Sequence, residues 1–437
     1  MRVLVIAGFI FLNSLLLTAC VDRLDINLPQ HTNIIVVDGI LNNLPEPQLI
    51  QLNRAQTDSV TGRAGFKAIT KATVEVIVDS TQVITCHETI DGRYQLPSDF
   101  RGKVGHTYQL HFKLSDGKQY LSTKQLMQPV PPIDKVTLRF SLTSLPANTG
   151  LLEEFRSGFD VVVDVQDPAN QRNYYRWDWS LYEKQDWCQS CNRGYYMTNQ
   201  LKMVSSYPNI LIYQTQPEPS ESCFEAPSPS LFGGNYTSLP VFFINSYVCR
   251  TQCWDIIPNS KINLFSDAYS NGGLIASRNV GQIPYYTENP ALAEIRQSSL
   301  TADAYRYFSS VQEQTQNTGG LADGQPAALV GNVHNTANPQ EKVIGYFTVG
   351  AISSVRYWLD KKDATGIAYG GTYYDPGPKV TFPVPGEQQL FFAFHRALPT
   401  VEAYLNFTIL GGGIRPPTAL CVPSDSRTPN RPEGWRD

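Results

Sequence analysis

Strict alternation of apolar and polar residues is the feature of this sequence that most restricts its fold. Three valines occupy alternate positions in segment 71–79, and segment 107–115 alternates in the same way. A period of two places the apolar side chains on one face of a strand. Asp91-Gly92 and Asp116-Gly117 lie next to such segments, and Asp-Gly favours tight hairpin turns. Short strands at this spacing predict an immunoglobulin-like β-sandwich over residues 33–128.

The composition favours β-structure in the rest of the chain. Charged residues make up only 17% of the 437 residues and aromatic residues 11%, with 31 Gly and 30 Pro. Low charge with many aromatic and turn-forming residues is typical of extracytoplasmic β-proteins. The length predicts two or three domains. The formal net charge of −4 provides no basic surface and argues against nucleic-acid binding.

A Pro-rich linker at 129–134 ends the predicted sandwich, because consecutive prolines cannot continue a central strand. Thr301 is a suitable N-cap for a helix whose face includes Ala304 and Phe308. Strands predicted at 327–333 and 342–349 are assigned to the C-terminal part. The remaining predicted segments are a β-rich domain (135–415) with an irregular insertion (184–240) and one helix (302–316), and a Pro-rich tail (416–437).

The N-terminus has the pattern of a bacterial lipoprotein signal. Met1-Arg2 precedes an apolar run that ends in Leu17-Thr18-Ala19-Cys20. That run is too short for a transmembrane helix, which needs about 20 apolar residues. Residues 1–19 therefore read as a signal peptide, Cys20 as the lipidated residue and 20–32 as a spacer. The alternative is an ordinary cleaved signal in which Cys20 is coincidental.

Lipidation would hold the protein on a membrane without a spanning segment, since each buried acyl methylene contributes about 0.8 kcal/mol. The residues after Cys20 contain no strong inner-membrane retention signal. We therefore expect a palmitate-bearing, lipid-anchored protein on the outer membrane, exposed at the cell surface.

Eight cysteines occur in the chain, so an odd number remains besides Cys20 and at least one is free or intermolecular. Cys-x2-Cys and Cys-x3-Cys spacings would suit tetrahedral zinc. An oxidising compartment favours disulfides that hold the insertion, and we predict no metal site. Pairing cannot be read from the sequence, and the roles of Cys86 and Cys421 stay open. The candidate disulfide cysteines are Cys188, Cys191, Cys223, Cys249 and Cys253.

Aromatic residues flank this cysteine cluster. Fixed aromatic rings can stack on a sugar or peptide or anchor a partner, although core packing is their commoner role. The candidate contact residues are Trp187, Tyr195, Tyr196 and Trp254. Tyr175, Trp177 and Trp179 share one face of a predicted strand and are assigned to the core. The sequence contains no HExxH, G-x-S-x-G, Walker or dinucleotide-binding motif, so we predict no catalytic residues and no cofactor.

Several segments, in order and spacing, resemble one family of Bacteroidota outer-membrane lipoproteins, catalogued as domain of unknown function 4249. The matching segments are Cys20, Asp91-Gly92, Asp167-Pro168 with Asn173-Tyr174-Tyr175-Arg176, Cys253-Trp254, Ser298-Ser299-Leu300-Thr301 with Tyr305 and Tyr307-Phe308, Gly331-Asn332-Val333 with Gly345-Tyr346-Phe347, and Cys421 with Pro432-Glu433-Gly434-Trp435. The family tail usually carries Cys-x2-Cys, whereas this chain has Ser424 at the second position. These segments read as scaffold, with Gly331 and Gly345 allowing close backbone approach.

The resemblance implies a lipoprotein encoded beside a TonB-dependent outer-membrane transporter. We therefore expect a non-catalytic accessory of such a transporter in nutrient capture or uptake. The alternatives are a structural or adhesive surface lipoprotein without a transporter partner and, with less support, a surface hydrolase. No ligand follows from the sequence.

Overall fold

A computed structural model of the protein describes most of the chain after the predicted spacer. The described residues are 34–57, 64–146, 156–185, 187–192, 194–196, 201–207, 210–215, 223–225, 244–316, 329–365, 368 and 418–436. From 187 to 248 the description covers the backbone and the side chain of Cys188. The strands predicted near 390–395 and 403–410 lie outside the described residues.

The N-terminal part forms two sheets that pack face to face. Its strands are β1 (Ile34–Leu41), β2 (Leu49–Thr57), β3 (Ala64–Ala68), β4 (Thr73–Val78), β5 (Gln82–Thr85), β6 (His87–Ile90), β7 (Arg93–Gln95), β8 (Thr107–Lys113), β9 (Gln119–Ser122) and β10 (Gln125–Leu126). The first sheet has the order β1-β2-β7-β6 with β3 beside β2, and the second has the order β9-β8-β4-β5 with β10 beside β8.

The alternation seen in the sequence produces the core of this sandwich. Val37 and Leu52 of the first sheet and Val76 and Leu110 of the second have no exposed surface and belong to one cluster. In each of the two sheets, the core residues occupy every second position of their strands, as half-buried strands require. The expected N-terminal β-sandwich is confirmed.

The C-terminal part is also built mainly from strands. Its elements are β11 (Lys135–Ser141), β12 (Gly158–Gln166), β13 (Tyr174–Lys184), β14 (Trp187–Asn192), β15 (Gly194–Tyr196), β16 (Leu201–Tyr207), β17 (Ile210–Thr215), β18 (Cys223–Glu225), β19 (Ile244–Cys249), β20 (Trp254–Pro258), β21 (Asn263–Ser266), β22 (Leu274–Pro284), β23 (Ala291–Ser299), α1 (Ala302–Gln316), β24 (Val333–Asn335), β25 (Val343–Val349), β26 (Ile352–Leu359), β27 (Thr418–Ala419) and β28 (Arg427–Thr428).

Two sheets enclose the core of this part. One has the order β11-β12-β22, and the other has the order β26-β23-β13-β20-β28 with β21 beside β13. Tyr175 and Trp177 are fully buried and Trp179 is 6% exposed, so the core assignment of this aromatic face of β13 is confirmed. The fold is mainly β with one helix among the described residues.

Strands β24 and β25 differ in placement from the sequence expectation. The sequence assigned 327–333 and 342–349 to the C-terminal domain, whereas β25 pairs in parallel with β1 and β24 pairs with β9. The sandwich is thus completed by chain that lies more than 200 residues downstream of its other strands. A local pattern predicts a strand but carries no information on which distant edge it joins.

Helix α1 spans the predicted residues 302–316, and Thr301 caps it as expected. The Thr301 hydroxyl accepts a hydrogen bond from the Ala304 backbone N–H at 3.2 Å. Tyr307 packs on Tyr346 of β25, and Tyr305 packs on Tyr174 of β13. The helix therefore lies against both the sandwich and the C-terminal domain.

The insertion at 184–240, expected to be irregular, contains paired strands. Strand β14 pairs with β19, β15 with β18, and β16 with β17. Polar and Ser-rich composition hides this pairing from pattern analysis, because the strands lack a clear apolar alternation. Among the described residues, no helix combines the length and the apolar character needed to span a bilayer.

Candidate functional site

The predicted disulfide cluster lies where the insertion leaves and rejoins the C-terminal domain. Cys188 of β14 is bonded to Cys249 of β19, 61 residues further along the chain. The bridge crosses two strands that are already paired, so it closes the insertion at its base. The prediction that disulfides hold this insertion is therefore supported at Cys188 and Cys249. The side chains of Cys191 and Cys223 lie outside the described part of the chain.

A second disulfide joins Cys253 to Cys421, across 168 residues. The sequence left the role of Cys421 open, and its partner turns out to be one of the clustered cysteines. The bridge holds the segment 418–436, here called the C-terminal strap, against β20. Cys86 is a buried free thiol, and burial raises its pKa to about 12.

The zinc alternative is tested by the same geometry. The sulfur atoms of Cys188, Cys249 and Cys253 lie within 4.8 Å of one another. All three are oxidised in disulfides, with Cys421 as the fourth sulfur. Zinc binds thiolates, so these bridged sulfurs do not offer the ligands that a tetrahedral site needs.

Trp254, a candidate contact residue, is 1% exposed and packs in an aromatic cluster. Its ring meets that of Trp435 edge to face at 5.8 Å, and Trp435 also meets Trp358 at 5.1 Å. Trp254 therefore anchors the C-terminal strap. The side chains of Trp187, Tyr195 and Tyr196 lie outside the described part, and their proposed contacts stay a prediction.

Charged groups attach the C-terminal strap at several points. Arg427 donates to the Asp255 carboxylate at 2.8 Å and to the carbonyl of Cys188. Asp425 accepts two hydrogen bonds from Arg93 of the sandwich, at 2.6 and 2.8 Å. These hydrogen bonds hold the pKa of Asp425 below its usual range. The strap thus joins the disulfide cluster, the C-terminal domain and the sandwich.

An open groove lies between α1 and the segment before β24. Its volume is about 470 Å³, within the range of small-molecule sites. Its lining offers carboxylate, guanidinium, hydroxyl and aromatic groups that could orient a polar ligand: Thr123, Asp303, Arg306, Tyr307, Ser310, Leu329, Val330, Gly331, Asn332 and Tyr346. Burial raises the pKa of Tyr346 to about 12.

Sequence reasoning did not find this groove. Tyr307, Gly331, Asn332 and Tyr346 stood out only as matching family segments and were read as scaffold. Their segments are separated along the chain, and only the packing of α1 on β25 brings them together. The available signal was that aromatic residues of the helix and of β25 occur in two of the segments that match the family. The sequence alone does not connect these two segments.

These observations define a mainly-β, disulfide-bonded protein with a helix-lined groove and a covalently held strap. The chain matches the family described as domain of unknown function (DUF4249) over residues 21–356, and it belongs to that family. No curated protein and no solved structure matches it.

Proposed function

We propose that the protein is a lipid-anchored lipoprotein of the outer-membrane surface, acting as a non-catalytic accessory of a TonB-dependent transporter in nutrient capture or uptake. The sequence Leu17-Thr18-Ala19-Cys20 after a short apolar run carries this proposal. Thirteen residues separate Cys20 from the first strand residue, Ile34. Such a spacer reaches at most about 45 Å when extended, which keeps the folded body near the membrane.

Two disulfides support a location outside the reducing cytoplasm. Cys188–Cys249 and Cys253–Cys421 lie in one cluster of three buried cysteines and the partly buried Cys249, where they hold the insertion and the C-terminal strap. Structural disulfides persist in oxidising compartments. This supports export and agrees with the signal peptide proposed for residues 1–19.

The transporter partnership is proposed from the family resemblance, and the groove beside α1 supports a binding role. Its carboxylate, guanidinium and hydroxyl groups can pair with a polar nutrient, while Tyr307 offers an aromatic face. A capture protein needs such a site close to the entrance of its transporter.

Lipidation is tested by metabolic labelling with radioactive palmitate in the native host. We expect label in the wild-type protein and none in Cys20→Ala. Cys86→Ala is the matched control, because it also removes a free thiol and should keep the label. Equal labelling of Cys20→Ala, or no label in the wild type, would refute the anchor.

The partnership is tested separately by extraction in mild detergent and affinity purification. We expect a large outer-membrane barrel to co-purify and a deletion strain to lose growth on a defined nutrient. A labelled protein that purifies alone, from a strain without an uptake defect, would instead support the structural or adhesive alternative. Recovery of the protein in the inner-membrane fraction would contradict the proposed location.

A further inference from the structure

Two neighbouring loops of the C-terminal domain bury a pair of carboxylates. Asp167 lies in the loop between β12 and β13, and Asp267 lies in the loop between β21 and β22. Each is only 1% exposed. Both loops are rich in residues that carry side-chain oxygens, with sequences Asp-Pro-Ala-Asn-Gln-Arg-Asn at 167–173 and Asp-Ala-Tyr-Ser-Asn-Gly-Gly at 267–273.

Asn173 links the two carboxylates and is surrounded by oxygen atoms. Its Nδ2 lies 3.3 Å from Asp167 Oδ1 and 3.1 Å from Asp267 Oδ2. The carbonyl oxygens of Pro168 and Gln171 lie 3.2 and 3.4 Å from the same nitrogen. A side-chain amide has two protons to donate, so four acceptors exceed what it can satisfy. One side-chain amide thus faces several acceptors, and Asp267 Oδ2 also accepts a hydrogen bond from the Asn173 backbone N–H at 2.8 Å.

The second, independent observation is that one carboxylate oxygen has no partner. Asp267 Oδ1 is buried and accepts no hydrogen bond from any described residue. The oxygens of Asp167, by contrast, accept hydrogen bonds from the Tyr175 hydroxyl at 2.7 Å and the Gly272 N–H at 3.0 Å. An unpaired buried carboxylate oxygen is costly, so this oxygen is available to bind a cation.

No counter-charge for the pair comes from the described residues. Neither carboxylate has a Lys, Arg or His nitrogen within ion-pair distance in this part of the chain. Buried charges in proteins are paired with opposite charges or coordinate metals.

We propose that Asp167 and Asp267 form the centre of a Ca²⁺ site that joins the two loops, with Asp267 Oδ1 as a direct ligand and loop carbonyls completing the oxygen set. Ca²⁺ takes six to eight oxygen ligands in flexible geometry, which suits carboxylates and carbonyls from irregular loops. Mg²⁺ demands near-octahedral geometry and retains waters, and zinc prefers nitrogen and sulfur ligands.

The ion would fix the start of β13 and the tip of the second loop. Asp167 and Asn173 flank the turn into β13, and Tyr269 at the tip of the other loop is fully exposed. This site is independent of the anchor and of the transporter partnership.

Terbium luminescence tests the site on the mature lipidated protein in a nonionic detergent. Tb³⁺ replaces Ca²⁺ at oxygen sites, and Tyr175 lies close enough to sensitise its emission. We expect one tightly bound Tb³⁺ per chain, displaced by Ca²⁺ far better than by Mg²⁺, with an emission lifetime that indicates few bound waters. We also expect EDTA to lower the melting temperature and Ca²⁺ to restore it. Absence of bound Tb³⁺ together with a melting temperature that EDTA leaves unchanged would overturn the proposal.

Variants locate the ion. Asp267→Asn keeps the side-chain shape and removes the charge, so we expect Ca²⁺ binding to weaken by at least about tenfold, as loss of a charged ligand does in oxygen sites. Asp116→Asn changes an exposed carboxylate in the turn between β8 and β9 and should bind as the wild type does. Undiminished binding by Asp267→Asn would overturn the proposal. If that variant does not fold, the calcium content of the gel-filtered wild-type protein is measured instead. We expect one Ca²⁺ per chain, and a protein without bound Ca²⁺ would contradict the site.

Discussion

Glu46 and Arg296 form a two-point ion pair between the sandwich and the C-terminal domain, with N–O distances of 3.0 and 2.6 Å. Glu46 lies in the loop between β1 and β2, and Arg296 lies on β23. The Arg296 Nε is also 3.3 Å from Glu294, whose side chain is 4% exposed. One guanidinium therefore neutralises a half-buried carboxylate in one domain and a buried carboxylate in the other.

This arrangement predicts unequal effects from removing either partner. Arg296→Met leaves Glu294 buried without its nearest cation, and we expect a loss of about 3–5 kcal/mol in the free energy of unfolding. Glu46→Gln leaves Arg296 paired with Glu294, and we expect a loss of about 1 kcal/mol or less. Urea denaturation followed by tryptophan fluorescence measures both.

The double variant Arg296→Met with Glu294→Gln should recover part of the loss, because it removes the unpaired buried charge. Arg306→Met is the control, since Arg306 pairs with Asp303 on an exposed face of α1. If Arg296→Met and Arg306→Met lowered the free energy of unfolding equally, the interdomain ion pair would contribute no more to stability than an exposed pair.

The backbone at Gly345 lies unusually close to the backbone at Val37 on one side and at Gly331 on the other. A Cβ atom placed on Gly345 would lie 1.9 Å from the Val37 carbonyl oxygen, and one on Gly331 would lie 1.9 Å from the Gly345 carbonyl oxygen. Asn332 then holds this close approach by accepting from the Phe347 N–H and donating to its carbonyl, both at 2.9 Å. The expected scaffold role of these glycines is close backbone approach.

We therefore predict that Gly345→Ala disrupts the addition of β25 to the sandwich. Gly345 has φ 93° and Gly105 has φ 84°, but a Cβ on Gly105 would meet nothing within 4 Å. Gly105→Ala should cost only the strain of positive φ, about 1–2 kcal/mol. Gly345→Ala should cost clearly more in thermal or urea denaturation, because it adds a backbone clash. Equal costs would mean that β25 shifts to accept the methyl group.

The sequence predicts elements well where the local pattern and the tertiary environment agree. The period-two segments of β4 and β8 and the capped helix α1 are found where they are expected. Strand β23 was not predicted, although it lies in the interior of its sheet and pairs with both β13 and β26. Its sequence, ALAEIRQSS, is rich in good helix formers, and only burial between two strands makes it extended.

The candidate site residues show the same limit. Clustered cysteines predict disulfides, but the pairing of Cys253 with Cys421 depends on where the chain returns after 168 residues. The groove beside α1 depends on helix packing against β25, and the Asp167–Asp267 pair depends on two loops about a hundred residues apart. Contacts between residues so far apart in sequence depend on the topology of the fold, which a local sequence pattern does not encode.

The disulfides predict a defined pattern of thiol chemistry. Peptide mapping of the non-reduced protein should recover Cys188 linked to Cys249 and Cys253 linked to Cys421. Cys86 should react with alkylating reagents only after denaturation, because it is buried and its raised pKa keeps it protonated at neutral pH. Rapid labelling of Cys86 in the native protein would contradict this placement.

The two bridges should differ in what they protect. Paired replacement of Cys253 and Cys421 by Ser should release the C-terminal strap to limited proteolysis and lower the free energy of unfolding by about 2–5 kcal/mol. In the variant with both Cys188 and Cys249 replaced by Ser, limited proteolysis should cleave the insertion before the C-terminal strap. Identical cleavage patterns in the two variants would show that the bridges do not hold separate segments.

Lys361 and Glu183 form a buried ion pair that predicts a pH dependence of stability. The Lys361 Nζ lies 2.9 Å from Glu183 Oε1 and 3.0 Å from the Thr287 carbonyl oxygen, and the two side chains are 1% and 5% exposed. Burial lowers the pKa of Lys361 from its ordinary 10.5 to about 7. The unfolded chain therefore binds more protons than the native protein between these two values.

Stability rises with pH wherever the unfolded state holds the extra proton, so Lys361 should add a slope of up to about 1.4 kcal/mol per pH unit above neutrality. Below pH 7 both states are protonated and the slope from this residue vanishes. Lys361→Met combined with Glu183→Gln removes both charges and should flatten the rise between pH 7.5 and 9 in urea denaturation. Lys362→Met is the control, because it changes a neighbouring side chain that is 82% exposed. This variant should keep the rise in stability between pH 7.5 and 9. Parallel stability curves for the wild type and the double variant would show that Lys361 stays protonated throughout, held by Glu183 against the cost of burial.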